Sequence, residues 1–250
     1  MFKGLILKSV IRDNIHLLIP KVAEDKDIMI IISHGSGGIG LAEYNTANYF
    51  LSKGYTIGIL DYFSKWSIST LRWNYEEKFR DNFNVTFKKM LLAHNFLFDK
   101  KVVHIGFSLG GFLGILNSKY FFKNFCFYPG IVGFTENIIN QDYTNTTIFN
   151  AVLDRWCSSK EFISLCSSPP SVINVNAYHG FMIPGKDKLI PIAKYNLPNA
   201  PITEKEFSKI KPNHEWLDKK YGHISQEIRL QYDKNSCIMC LNYIEKELCT

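Results

Sequence analysis

Residues 28–32 read Ile-Met-Ile-Ile-Ile, an unbroken apolar run. Five residues is the length of a strand rather than a helix, and with no polar position along it such a strand must be covered on both faces. Buried strands of similar length recur at Tyr55–Leu60, Lys101–Phe107, Phe125–Tyr128, Thr146–Leu153 and Ser171–Ala177. Helical patterns alternate with them: 41–53, closing at Gly54; about 73–98, where Phe79, Phe83, Phe87, Met90, Leu91, His94 and Leu97 recur at helical spacing; a short apolar stretch to about 118; 159–167; and 233–248. Residues 2–10 and 14–20 predict an N-terminal β-hairpin turning at Asp13-Asn14. The alternation predicts an α/β fold, a doubly wound, mostly parallel sheet with helices on both faces. No repeat or low-complexity linker divides residues 1–250, so one domain is expected. Five of the nine prolines fall in 184–212, which marks 182–215 as a long loop.

Composition removes several classes of function. Of 250 residues 46% are apolar and 21% charged, enough for a full core and too few charges for global disorder. No apolar run reaches the roughly 18 to 20 residues of a membrane span. The net charge is +6, but the basic pairs Lys88-Lys89, Lys100-Lys101 and Lys219-Lys220 are scattered and form no block alternating with aromatic residues, so no nucleic-acid partner is expected. The first residues lack the apolar region and small-residue cleavage site of a signal peptide, and the six cysteines follow no framework spacing. Cys237 and Cys240 form half of a zinc pattern inside a helical stretch. Free thiols in a soluble, cytoplasmic protein are the expectation.

Two glycine-rich turns carry the chemistry. His34-Gly35-Ser36-Gly37-Gly38-Ile39-Gly40 follows a strand and opens a helix, and its Gly35, Gly37 and Gly40 spell G-x-G-x-x-G. Asp61 ends the next strand where a ribose-binding acid would stand, so a dinucleotide-binding oxidoreductase is one reading. Gly106-Phe107-Ser108-Leu109-Gly110-Gly111 is also a strand-to-helix turn and contains G-x-S-x-G, the nucleophile elbow of α/β-hydrolases, which needs small residues two before and two after the serine because strand and helix meet closely there. The hydrolase reading employs both turns. In it the His-Gly-x-Gly-Gly loop supplies one backbone donor of an oxyanion hole, from Ser36 or Gly37, and Leu109 the other.

In that fold the acid and the base follow the serine in chain order. Asp154 is the first carboxylate beyond the strand at 146–153, with Asp142 in the preceding loop as the weaker rival. His179, beside Gly180 and just past the strand at 171–177, is the expected general base. His104 lies mid-strand and reads as a core residue. His214 and His223 have no strand just before them. His34, Tyr62, Phe63 and Trp156 are candidates to line a substrate pocket, with Trp66, Trp73 and Tyr75 further along the same aromatic stretch; Arg72 and Arg155 read as surface arginines. Acyl transfer of this kind needs no metal or organic cofactor. A scaffold of this fold without activity is a third reading.

Taken together, these motifs resemble the dienelactone hydrolase family of α/β-hydrolases over roughly residues 25–245. The resemblance rests on Ser-His-Gly-Ser-Gly-Gly (33–38), Leu60-Asp61-Tyr62-Phe63, the elbow at 106–111, Leu153-Asp154-Arg155-Trp156-Cys157 as the acid loop, Tyr178-His179-Gly180-Phe181 as the histidine loop, and Arg229-Leu230-Gln231-Tyr232-Asp233 before the last helix. The family's namesake enzymes carry cysteine as nucleophile and open a cyclic lactone. Serine at position 108 turns the expectation toward a serine carboxylesterase or related hydrolase of a small ester, lactone or thioester.

Overall fold

The structure is a computed structural model that describes residues 6–12, 14–21, 27–63, 84, 86–92, 100–131, 133–195, 200–203, 219 and 222–249. Its centre is an eight-stranded sheet: β1 (Ile6–Arg12), β2 (Ile15–Pro20), β3 (Ile28–Ser33), β4 (Thr56–Leu60), β5 (Lys101–Phe107), β6 (Lys123–Phe127), β7 (Thr146–Ala151) and β8 (Ser171–Val175), in the spatial order β1-β2-β4-β3-β5-β6-β7-β8. β2 pairs antiparallel with both β1 and β4, and every pair from β4 across to β8 is parallel. The predicted hairpin is therefore the first edge of the sheet, and its turn holds Asn14 at φ 62, a conformation asparagine tolerates better than most residues.

The apolar runs behave as their lack of polarity requires. In β3, Ile30 and Ile32 face one layer and Met29 and Ile31 the other, and all four are fully buried. The first layer holds α1 (Leu41–Leu51) and the last helix α5 (Lys234–Leu248); the second holds α2 (Leu109–Leu116), the helical residues 86–92, α3 (Glu136–Ile139) and α4 (Lys160–Leu165). Cys237 and Cys240, one turn apart on α5, both point into the core; burial pushes the Cys237 thiol up to about 12 and raises Cys240 too. Neither is in a disulfide.

The mid-strand His104 is a core residue, as expected. It is fully buried in a polar ladder across four strands: its Nε2 accepts from Ser33 Oγ at 2.7 Å, its Nδ1 donates to Asn124 Oδ1 at 2.7 Å, and Asn124 Nδ2 donates onward to Thr146 Oγ1 at 3.1 Å. Burial holds its pKa down to about 4, so the ring is neutral and each of its nitrogens is satisfied.

The expected loop over 182–215 is corrected in its first half. Residues Asp187–Tyr195 form β9, which pairs antiparallel with β10 (His223–Gln231) as a separate two-stranded ribbon. Pro191 sits inside β9 opposite Glu227. A proline lacks the N–H for a central ladder, but among the described residues β9 pairs on one side only, so its other edge needs no donor there. Residues 204–215 of that stretch, and Phe79, Phe83, His94 and Leu97 of the expected helix 73–98, lie outside the described residues; 86–92 are helical. Among the described residues no helix is long and apolar enough to cross a membrane.

Candidate active site

Ser108 stands between the end of β5 and the start of α2 with φ 49 and ψ −109. This is a strained backbone for a residue with a side chain. The turn is held by its main chain: Ser108 N–H donates to Phe127 O at 3.0 Å, and Ser108 O accepts from Phe112 N–H and Gly130 N–H, each at 3.0 Å. Its glycines are steric necessities. A Cβ on Gly106 would lie 2.5 Å from the His104 ring and 2.6 Å from Gly110 C; one on Gly110 would lie 2.5 Å from Ser33 O. Helix α2 can reach the sheet this closely only because both positions lack side chains.

The loop after β3 leans against the same turn. A Cβ on Gly35 would come 3.4 Å from Ser108 Cβ, and Gly38 N–H closes a turn onto Gly35 O at 3.1 Å. Among the described residues no acceptor takes the N–H groups of Ser36, Gly37 or Leu109. Leu109 N–H belongs to the first turn of α2, where helix geometry leaves donors unused. The N-terminus of α1, by contrast, is occupied: Gly40 N–H donates to Glu43 Oε2 at 2.8 Å. Glu43 is 4% exposed, and burial pushes its pKa up to about 7 against the pull of the Gly40 and Gly35 backbone. A carboxylate fills the place where a dinucleotide's pyrophosphate would need free donors.

Asp154 and His179 come together at the carboxyl ends of β7 and β8. His179 Nδ1 donates to Asp154 Oδ2 at 2.7 Å, and the side chains are 6% and 1% exposed for His179 and Asp154. The other carboxylate oxygen, Oδ1, accepts Trp156 N–H at 2.8 Å and Cys157 N–H at 3.2 Å. This turn, closed by the aspartate itself, fixes the carboxylate through the backbone. Asp142, the rival acid, is exposed and caps Thr144 N–H at 2.9 Å. His179 lies against two aromatic rings, with Tyr128 at 4.7 Å and Trp156 at 4.9 Å between centroids, both tilted.

Segment 128–130 links this pair to the serine. Tyr128 touches His179, while Gly130 N–H holds Ser108 O; a Cβ on Gly130 would lie 3.7 Å from Ser108 Oγ and 3.8 Å from Cys157 Sγ. Among the described residues three that are not glycine have positive φ, Asn14 in the hairpin and Ser108 and Tyr128 here. The sequence pattern does not mark Tyr128 as a site residue. Its only signal is Tyr-Pro-Gly at a strand end.

The β9–β10 ribbon braces the histidine loop, a role the sequence pattern at 229–233 did not reveal. His179 forms a backbone bridge to Leu230, Tyr232 N–H donates to Lys186 O at 2.7 Å, and Asp233 N–H donates to Phe181 O at 3.1 Å. Arg229 pairs with Asp187 through Nε at 3.0 Å and lies over the Tyr178 ring, and Gln226 Nε2 donates to Arg155 O at 3.2 Å in the acid loop.

His34, Tyr62 and Phe63 are buried and packed on one another rather than open to a ligand. His34 stacks on Tyr62 at 3.9 Å, meets Phe63 edge-on at 4.5 Å and donates from Nδ1 to its neighbour Gly35 O at 2.7 Å, while Tyr62 Oη donates to His34 O. Burial lowers the His34 pKa to about 4, so the ring is neutral. These three form the floor of the glycine loop. Trp156 is half-buried beside His179, and Arg155 is exposed. Trp66, Arg72, Trp73 and Tyr75 lie outside the described residues. Among the described residues, the side chains with metal-ligand chemistry that stand together as a group of three or more are Asp154, Cys157 and His179.

Comparison with solved structures places this architecture. The chain is similar to a dienelactone hydrolase-like promiscuous phosphotriesterase from metagenomic libraries, with a TM-score of 0.61 at 13% identity over 98% of each chain. It is also similar to an α/β serine hydrolase without a lid from Xanthomonas campestris, with a TM-score of 0.54 at 12% identity over 72% of this chain and 88% of that one. The fold is the α/β-hydrolase fold. An α/β serine hydrolase homologue from Coxiella burnetii superposes with a TM-score of 0.54 at 16% identity, over 71% of this chain and 91% of its own. No protein-family model matches the sequence, and no curated protein matches it.

Proposed function

We propose that this chain is a serine hydrolase of small esters, lactones or thioesters, with Ser108 as nucleophile, His179 as general base and Asp154 as the acid that orients it. The observation that carries this reading is the 2.7 Å bond from His179 Nδ1 to the buried Asp154 carboxylate. That bond puts the ring proton on Nδ1 and leaves Nε2 bare, the tautomer a base needs. Further support comes from the strained φ of Ser108 and from structural neighbours described as serine hydrolases and as dienelactone hydrolase-like.

In the proposed reaction Nε2 takes the Ser108 hydroxyl proton as Oγ attacks the substrate carbonyl. Asp154, its Oδ1 already held by two backbone donors, keeps the ring from rotating and stabilises the imidazolium. The N–H of Leu109 with that of Ser36 or Gly37 receives the developing oxyanion, an interaction worth roughly 3 to 4 kcal/mol per donor. His179 then returns its proton to the leaving group, and water hydrolyses the acyl-enzyme by the same steps. Trp156 and Tyr128 against the ring limit its motion and its access to water.

A fluorophosphonate probe followed by mapping of the labelled residue tests this. Labelling confined to Ser108, absent in Ser108→Ala and slowed about 10³- to 10⁴-fold in Asp154→Asn, is expected. Folded wild-type protein that takes no label overturns the reading and leaves an inactive scaffold in its place.

A further inference from the structure

Hydrolysis gives Asp154 and His179 their tasks but none to Cys157. One donor atom from each of these three residues lies within 4.8 Å of the others. We propose that Asp154, Cys157 and His179 form a binding site for a zinc-like divalent cation, and that its binding switches the hydrolase off.

The arrangement follows from the acid loop. Asp154 Oδ1 draws in the Cys157 N–H at 3.2 Å, so the chain curls and position 157 returns over the carboxylate that His179 bonds from the other side. Cys157 is half-buried, is not in a disulfide, and lies near Gly130 at the serine's edge of the site. Thiolate, imidazole and carboxylate together are a donor set for zinc rather than for calcium or magnesium. With zinc bonds of about 2.0 Å to nitrogen and oxygen and about 2.3 Å to sulfur, tetrahedral donors stand roughly 3.3 to 3.6 Å apart. The His179–Asp154 pair, at 2.7 Å, must open by roughly 0.6 Å, and donors within 4.8 Å must close by about 1 Å. Three protein ligands leave the fourth position to water, and the cation compensates a carboxylate that is 1% exposed.

Binding breaks the Cys157 S–H bond, releases that proton to solvent and forms metal–sulfur, metal–nitrogen and metal–oxygen bonds; no electron changes hands. If the cation sits on Nδ1, the imidazole's one proton moves to Nε2, the nitrogen that must be bare to accept from Ser108. Nδ1 is the nitrogen that faces the Asp154 carboxylate, and a cation there removes the base. The binding site stands on its three ligands alone; the switch rests on the hydrolase reading.

The test uses the full chain, with cobalt(II) as spectroscopic probe and zinc affinity measured by competition with a chromophoric chelator. One cobalt per chain with a thiolate-to-metal charge-transfer band is expected. Cys157→Ser should lose the band and bind zinc at least roughly tenfold more weakly, with Cys157→Ala as a second variant; the other five cysteines remain in both as internal controls. No thiolate band in the wild type, or an unchanged band and affinity in the variants, overturns the site. Probe labelling of Ser108 is then followed with zinc and again after a chelator, each protein against its own zinc-free rate. At least tenfold suppression in the wild type, reversed by chelation and absent in Cys157→Ser, supports the switch; undiminished labelling of zinc-loaded wild type overturns it. A protein that never labels sinks the hydrolase reading, and the cobalt spectrum still decides the metal site.

Discussion

At the turn after β5, a methyl group on Gly106 or Gly110 would be driven to within 2.5 or 2.6 Å of backbone and ring atoms; at the turn after β3, a methyl group on Gly37 would meet nothing within 4 Å, and one on Gly40 only the Glu43 carboxylate at 3.7 Å. Both turns join a buried strand to a helix and both are rich in glycine. The turn after β5 is a packed joint in which glycine lets α2 touch the sheet and Ser108 hold a positive φ. The turn after β3 is open at Gly37, and among the described residues nothing covers the N–H groups of Ser36 and Gly37 beside the serine. At Gly106 and Gly110 glycine answers a steric demand; at Gly37 and Gly40 it keeps space clear, while Gly38 takes a positive φ of 77. In a dinucleotide-binding turn the third glycine permits close helix–strand contact, and Gly40 has no such contact to permit.

Substitutions separate the two kinds of turn. Gly110→Ala meets backbone that cannot yield and should destabilise the fold by roughly 3 kcal/mol, read as a fall in melting temperature of about 6 to 12 °C. A melt within 2 °C of wild type would mean the elbow is looser than its contacts imply.

The open turn is sharpened by pH. His34 and His104 are held at about 4, below their ordinary 6.5, so the stability their neutral forms contribute is present above pH 6.5 and lost as pH falls toward 4. Glu43 is raised from 4.5 to about 7, so its contribution runs the other way: complete below pH 4.5 and lost as pH rises through 7. Glu43→Gln keeps an acceptor for the Gly40 N–H and removes this counterweight. Unfolding by urea between pH 6.5 and 4.5 should then show a steeper acid loss, by about 1.4 kcal/mol per pH unit. Parallel profiles for the two proteins would show that Glu43 does not titrate in this range.

Strain at the elbow gives a smaller effect. Glycine relieves a positive φ that alanine keeps, and the relief of about 1 to 3 kcal/mol exceeds glycine's entropic cost of about 0.5 to 1. Ser108→Gly should therefore be more stable than Ser108→Ala by about 1 kcal/mol, measured by thermal melting; the reverse order would remove the case for strain. Gly37→Ala should change stability by less than about 0.5 kcal/mol, and a large loss there would erase the difference between the turns.

Much of this was legible in the sequence because it depends on short-range rules. Runs such as Ile28–Ile32 admit only strands covered on both faces, G-x-S-x-G between a strand and a helix admits few backbones, and Asp154 and His179 each stand a few residues past a strand end, where the loops of a parallel sheet converge. The ribbon was not legible: Pro191 and the neighbouring prolines read as loop, and the pairing that makes 187–195 a strand comes from 223–231, with more than twenty residues between. Nor did the aromatic stretch at Tyr62–Phe63 or His34 announce burial, since an aromatic residue near a site has the same letter whether it faces a ligand or the floor beneath a loop.

The sequence by itself determined the layered α/β fold, the glycine-flanked turn at Ser108 and the positions of Asp154 and His179 just past later strands, because periodicity, glycine sterics and strand-end position act within a dozen residues. Only the tertiary structure decided which carboxylate meets the histidine, that Cys157 returns to the same point, and that a ribbon of two distant strands braces the histidine loop through Leu230, Tyr232 and Asp233. Those contacts join residues far apart in the chain, and their partners are chosen by the register of the sheet and by what remains to be buried against it.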